Sequence, residues 1–172
     1  MNAVHADVSA MPVETVYIGI GSNIGDSVTI VNEAITRIAQ LPETELVANS
    51  QLYRSEAVSD IEQDDYINAV AKINTSLEPM ALLLDLQAIE QAFYRQRDQS
   101  KKWAPRTLDL DIILFGNRQI NDSHLRVPHP EMHNRLFVLK PMFEISGDFT
   151  IPGLASLEYL IEHAPDIAIQ PI

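Results

Sequence analysis

The stretch from Trp103 to Gly116 constrains the fold of this chain more than any other. Pro105 rules out a long helix through this point, and the alternation that follows has the two-residue period of a strand. Successive strand side chains point to opposite faces, so Thr107, Asp109 and Asp111 share one face while Leu108, Leu110 and Ile112 share the other. The two carboxylates then stand roughly 7 Å apart along the strand. Like charges that close resist joint ionisation unless a cation bridges them. Such a pair on a rigid strand suits Mg²⁺, which takes one or two protein carboxylates and completes its octahedron with water and phosphate oxygens. The solvated face of an ordinary amphipathic strand would show the same pattern, and the residues upstream weigh against that plainer reading.

Between Arg95 and Arg106 lie Arg95, Arg97, Lys101, Lys102 and Arg106, five of the twelve basic residues in a chain with 24 acidic ones and a formal charge of -12. A basic island in an acidic protein is poorly placed to hold a long nucleic acid, whose backbone would meet repulsion beyond the island. It suits a compact polyanion such as a nucleoside triphosphate, for whose oxygens arginine offers a planar fork. Cations beside a metal-binding carboxylate pair would together neutralise a triphosphate and the charge that develops during its transfer.

A length of 172 residues with 46% hydrophobic content fits one globular domain with a real core. The absence of cysteine excludes a disulfide scaffold, a thiolate zinc site and a cysteine nucleophile, and is compatible with the cytoplasm. No segment approaches the roughly 18 apolar residues that span a bilayer, so no membrane partner is expected. Met1 to Val13 lacks the basic and apolar regions of a secretory signal and is expected to be a disordered extension, with residues 14–172 forming a single domain.

Val16 to Ile20 reads as a buried strand ended by Gly21-Ser22-Asn23. Asp26 or Ser27 caps a helix to about Gln40, with Ile30, Ala34, Ile35 and Ile38 at helical spacing. Glu45 to Arg54 reads as a second strand, an acidic loop follows from Ser55 to Asp65, and Tyr66 to Asn74 reads as a third strand. Pro79 opens a helix to about Phe93, with Leu82, Leu86, Ile89 and Phe93 facing inward. The basic loop and the strand Thr107 to Phe115 complete β-α-β-β-α-β. That order predicts an α+β, ferredoxin-like antiparallel sheet covered on one side by two helices. Beyond Gly116 a loop-rich extension holds short helices near Phe137–Ile145 and Ser156–His163.

Other constellations are individually weaker. Gly19-x-Gly21-x-x-x-Gly25 lacks dinucleotide or P-loop spacing and is read as a tight turn with close backbone approach to the site. Tyr66 and Asn68 share a strand face, offering ring stacking and paired donor and acceptor to a flat amide-bearing heterocycle, although a core Tyr beside a satisfied Asn would look the same. Leu83, Gln87 and Glu90 form a helical stripe distinct from the core stripe, and most such stripes face solvent. His129 is braced between Pro128 and Pro130, with Arg135 and Phe137 close behind, and could contact phosphate.

Together these motifs closely resemble the 6-hydroxymethyl-7,8-dihydropterin pyrophosphokinase family from about Tyr17 to Ile145. The resemblance is carried by Gly21-Ser22-Asn23, Tyr53-Arg54-Ser55, Asp65 to Val70, Arg95-x-Arg97, Pro105-Arg106-Thr107-Leu108-Asp109-Leu110-Asp111, Val127-Pro128-His129-Pro130 and Arg135-x-Phe137. It implies the ferredoxin-like fold and an enzyme that transfers pyrophosphate from ATP to a reduced pterin alcohol, releasing AMP; a monomer is expected. Asp109 and Asp111 would hold two Mg²⁺ ions, and Arg95, Arg106 and Trp103 would close a catalytic loop. His129 and Arg135 would meet phosphates, with Leu83, Gln87, Glu90, Arg97 and Ile112 around the nucleotide. Tyr66 and Phe137 would sandwich the pterin, whose edge Asn68, Ser55 and Val58 would read. The chain departs from the family pattern at Tyr94 and Ala104, where glycine is usual, and in a longer basic loop. A paralogue that binds pterin and nucleotide without useful turnover is the alternative.

Overall fold

The computed structural model describes residues 11–57, 62–93 and 107–172. Residues 1–10 of the expected N-terminal extension lie outside this set, and 11–13 are exposed chain leading into the first strand. Strand β1 (Glu14–Ser22) precedes helix α1 (Ser27–Ile38), whose first turn is capped by the Asp26 carboxylate accepting from the Thr29 amide. Next come β2 (Thr44–Asn49), β3 (Tyr53–Ser55), β4 (Tyr66–Thr75), α2 (Pro79–Phe93) and β5 (Asp109–Phe115). The remainder holds a short β6–β7 ladder (Ile120–Asn121, Arg126–Val127), a 3₁₀ turn (Met132–Asn134), α3 (Leu136–Ser146), α4 (Leu157–His163) and β8 (Ile169–Pro171).

The main sheet runs β5-β1-β4-β3-β8, with β2 also on β4, and every pairing is antiparallel. The single strand expected from Glu45 to Arg54 is two, both lying along β4. At the break the Ser50 hydroxyl accepts from the Val70 amide, replacing a ladder bond. The Glu144 carboxylate of α3 accepts from the Gln51 amide and, at 2.6 Å, from the Tyr53 hydroxyl. Strand β8, which the sequence pattern did not suggest, covers the outer edge of β3.

Both sheet faces are covered, where sequence reasoning expected helices on one. Val31, Ala34, Ile35 and Ile38 of α1 and Leu82, Leu86 and Ile89 of α2 pack on Val16, Ile18, Ile20, Ile67, Ala69, Ile73, Leu110 and Ile112. On the opposite face Leu139 and Met142 of α3 and Leu157 and Leu160 of α4 pack on Tyr17, Val70, Ile113 and Leu114. Ile112 and Phe115 belong to the first cluster and Ile113 and Leu114 to the second, because β5 carries an extra residue where the β1–β5 register shifts. That bulge resets the alternation and lets the strand end add to both cores.

Leu139→Ala, at a fully buried position of the α3 face, is expected to lower unfolding free energy by about 2–5 kcal/mol in urea titrations. Leu84→Ala on the exposed side of α2 should stay within about 0.5 kcal/mol of the parent.

Candidate active site

Leu108, Leu110 and Ile112 point into the α1/α2 core, so Asp109 and Asp111 lie on the other face, half-buried and side by side as the alternation predicts. Across β1, Gly21 stands opposite Asp109 and Gly19 opposite Asp111. Across the next pairing Gly21 stands opposite Asn68 and Gly19 opposite Val70, and Tyr53 in turn faces Asn68. A single transverse row therefore reads Asp109, Gly21, Asn68, Tyr53, with side chains on one face of the sheet. The two glycines lie inside β1 and neither has positive φ, so the expected tight turn there is corrected: among this group only Gly25 has positive φ, at 74°.

Asn68 is buried and donates from Nδ2 to Ser55 Oγ at 2.8 Å, which fixes its amide orientation and turns Oδ1 toward Gly21. Tyr66 opens β4 opposite Ser55 and is half-buried. The Asn23 amide, just past β1, donates to Gln63 Oε1 and to the Asp64 carbonyl, tying the acidic segment before Tyr66 to the end of β1. Sequence reasoning used Asn23 only as part of the Gly21-Ser22-Asn23 motif and gave it no role of its own.

At the other end of the row, Arg135 Nη1 lies 3.3 Å from Asp111 Oδ2, and His129 Nε2 lies 3.7 Å from the same oxygen. Arg135 immediately precedes α3 and also stands 5.9 Å from the Phe137 ring centroid, which places both half-buried residues over this face. The His129 amide donates to the Ile113 carbonyl, fastening its loop to the bulged strand. Its Nδ1 accepts from the Glu131 amide, so the neutral ring carries its proton on Nε2, facing Asp111. Burial holds the His129 pKa down at about 4, helped by repulsion from Arg135 and opposed by Asp109 and Glu131. The His129–Asp111 approach is therefore dipolar rather than an ion pair at neutral pH.

On α2, Leu83 and Gln87 are half-buried, whereas Glu90 is buried and accepts from the Leu110 amide at 2.8 Å. The stripe is thus not simply a solvent face: its last member holds the strand segment between the two aspartates. Ile112 has its side chain in the core at 3% exposure. Strand geometry turns its peptide groups to the sheet's outer edge in phase with Leu110, so any ligand contact there is a backbone one. Val58, Arg95, Arg97, Trp103 and Arg106 lie outside the described residues.

The arrangement sets a carboxylate pair with a guanidinium and an imidazole N–H beside it at one end of a glycine-floored face, and a fixed carboxamide with an aromatic ring at the other. Among the described residues no group of three or more His, Cys, Asp or Glu side chains is placed to hold a metal. Two carboxylates whose neighbours are phosphate-type donors fit Mg²⁺, which draws its remaining ligands from water and phosphate. A face of this kind can bind a polyanion against a flat polar heterocycle.

Comparison with known proteins agrees. The family model described as 7,8-dihydro-6-hydroxymethylpterin-pyrophosphokinase matches residues 17–147, and the chain belongs to that family. It is 43% identical over 152 residues to a 2-amino-4-hydroxy-6-hydroxymethyldihydropteridine pyrophosphokinase of Haemophilus influenzae, covering 88% of this chain and 94% of that protein. It is 40% identical to the protein of the same name from Pseudomonas aeruginosa, covering 89% and 93%. In fold it resembles a crystal structure of Plasmodium falciparum HPPK-DHPS wild type with pterin and p-hydroxybenzoate, at TM-score 0.63 and 12% identity. That match covers 88% of this chain and 42% of the larger one.

Without nucleotide or metal, the depressed His129 pKa makes the unfolded chain take up more protons between about 6.5 and about 4. Stability therefore falls as pH drops through that window. Comparing urea midpoints at pH 7 and pH 4.5, His129→Gln should lose less stability than the parent. An equal loss in both would contradict the buried neutral ring.

Proposed function

We propose that this chain transfers pyrophosphate from ATP to the hydroxymethyl group of 6-hydroxymethyl-7,8-dihydropterin, releasing AMP, as a step of folate biosynthesis. The observation that carries the reading is the row Asp109–Gly21–Asn68 on one sheet face, with a phosphate-type end and a ring-type end one flat molecule apart. Two relatives that share 40–43% of their residues with this chain over almost their whole length, and are named for this activity, support it. The strand order, with β1 and β4 central and β5 and β2/β3 flanking them, supports a ferredoxin-like plan followed by a loop-rich extension. The protein acts as a single domain over residues 14–172, as a monomer in the cytoplasm, on small molecules rather than nucleic acid or membrane.

Two Mg²⁺ ions bound with ATP would neutralise the triphosphate and polarise its phosphorus centres. Asp109 and Asp111 would hold them. Arg135 exchanges Asp111 for a phosphate oxygen, and His129 donates from Nε2 to another without changing charge. Arg95, Arg106 and Trp103 would act on the phosphates as a catalytic loop, with Arg97, Leu83, Gln87, Glu90 and the Ile112 backbone around the nucleotide. Tyr66 and Phe137 stack on the pterin while Asn68, Ser55 and Val58 read its edge. The pterin hydroxyl oxygen bonds to the β-phosphorus as the bond from that phosphorus to the α,β-bridging oxygen breaks; AMP leaves, and the hydroxyl proton passes to solvent or to the departing α-phosphate. Alignment and water exclusion, rather than a covalent enzyme intermediate, lower the barrier.

With ATP, Mg²⁺ and the reduced pterin alcohol, AMP should form only when the pterin is present. AMP without pterin would indicate a phosphohydrolase, and none at all a binding module; either overturns the proposal. Asp109→Ala and Asp111→Ala should each lower turnover on the order of a hundredfold or more, with pterin binding retained in fluorescence titrations.

A further inference from the structure

The Gly19-x-Gly21 pair is not explained by a turn, by positive φ or by a phosphate-binding loop. Both residues face the side of the sheet that carries Asp109, Asp111 and Asn68. Adjacent strands lie roughly 4.8 Å apart, so the Asp109 and Asn68 backbones are separated by roughly 10 Å, with β1 between them. A molecule recognised at Asn68 and reacting beside Asp109 must cross β1, and the residue at the crossing is Gly21.

A Cβ built at Gly21 would stand 3.3 Å from Asn68 Oδ1 and 3.9 Å from Tyr66 Cδ1. It would fill the space between the carboxamide and the aromatic ring, at a position whose φ is not in the left-handed region. Asn68 cannot easily retreat, because it is 4% exposed and its Nδ2 is held by Ser55. A Cβ at Gly19 meets something different: the flexible end of Ile113, at 3.1 Å, one row nearer Asp111.

We infer that Gly21 is the specificity-determining floor of the heterocycle slot: its missing side chain lets a flat bicyclic ring, stacked between Tyr66 and Phe137, seat its edge on β1 beside Asn68 with its hydroxymethyl group directed at Asp109. The inference rests on the proposed pyrophosphokinase reading and adds a residue that sets ring depth. Any side chain at this position lifts the ring off the strand, weakening its contact with Asn68 and tilting the hydroxyl out of line with the phosphate. An alignment error of about 1 Å costs on the order of a hundredfold in rate.

The test compares Gly21→Ala and Gly19→Ala with the parent for thermal midpoint, KM for ATP, KM for the reduced pterin alcohol, and turnover. Pterin binding is titrated separately in the presence of Mg²⁺ and α,β-methylene-ATP. Gly21→Ala should keep its thermal midpoint within a few degrees, because alanine restricts the unfolded chain more than glycine does. Its ATP KM should stay within about twofold, while pterin affinity falls on the order of tenfold or more. Gly19→Ala should leave pterin affinity closer to the parent value.

Unchanged pterin affinity in a folded Gly21→Ala would overturn the inference, as would equal pterin losses in both variants. Should Gly21→Ala fail to fold, backbone amide resonances of the parent decide the matter: a shift at Gly21 on pterin binding larger than that at Gly19 supports the floor role, and an unmoved Gly21 resonance refutes it. Parent protein that makes no pterin-dependent AMP would sink the functional reading itself, a result distinct from any of these.

Discussion

The antiparallel register of three strands is the constraint on which the rest of this molecule depends. Hydrogen bonds between β5, β1 and β4 set Asp109, Gly21 and Asn68 opposite one another. A slip of one residue in either ladder would turn a whole set of side chains to the wrong face. The hydrophobic cores prevent that slip. Ile18, Ile20, Ile67, Ala69, Leu110 and Ile112 must all meet α1 and α2, so the polar partners of the alternation are forced onto the α3 side. The chemistry is thus positioned by burial of the residues that do not take part in it.

Electrostatics at the carboxylate end follow from the same placement. Arg135 and His129 come from the far end of the chain, yet both reach the same oxygen of Asp111. The loop carrying His129 is bonded to β5 at Ile113, and the packing of α3 on Val70, Ile113 and Leu114 sets where Arg135 begins. Burial that keeps the imidazole neutral leaves a donor whose charge does not change around neutral pH. A guanidinium beside it supplies permanent positive charge. The two groups therefore offer phosphate different things, one a directed N–H and the other a field.

Several features of the site were legible in residue order alone. The alternation after Pro105 placed Asp109 and Asp111 on one face, and the strand beginning at Tyr66 placed Tyr66 with Asn68, because a period of two is a local property of the backbone. The bounds of α2 from Pro79 to Phe93 were readable for the same reason, since its apolar spacing and its opening proline are adjacent in sequence. The place of Gly19 and Gly21 inside β1 was not. A glycine-x-glycine run looks alike in a turn and in a strand, and only the neighbours across two ladders tell them apart. Glu90 misled in a related way: its stripe looked solvent-facing until the Leu110 amide on a distant strand came to meet it.

What the sequence determined unaided is the set of local periods, the charge contrast between an acidic chain and its basic island, and the residue types that can meet metal, phosphate and ring. These depend on backbone geometry within a few residues and on side-chain chemistry. Only the tertiary structure decided which of those groups share a face: the covering of the second sheet face by α3 and α4, the strand β8 at the edge, the Asp111–Arg135 approach and the glycine floor between Asp109 and Asn68. Each is a contact between residues far apart in the chain, governed by cross-strand register and by how two cores close around one sheet, and no local pattern encodes such distances.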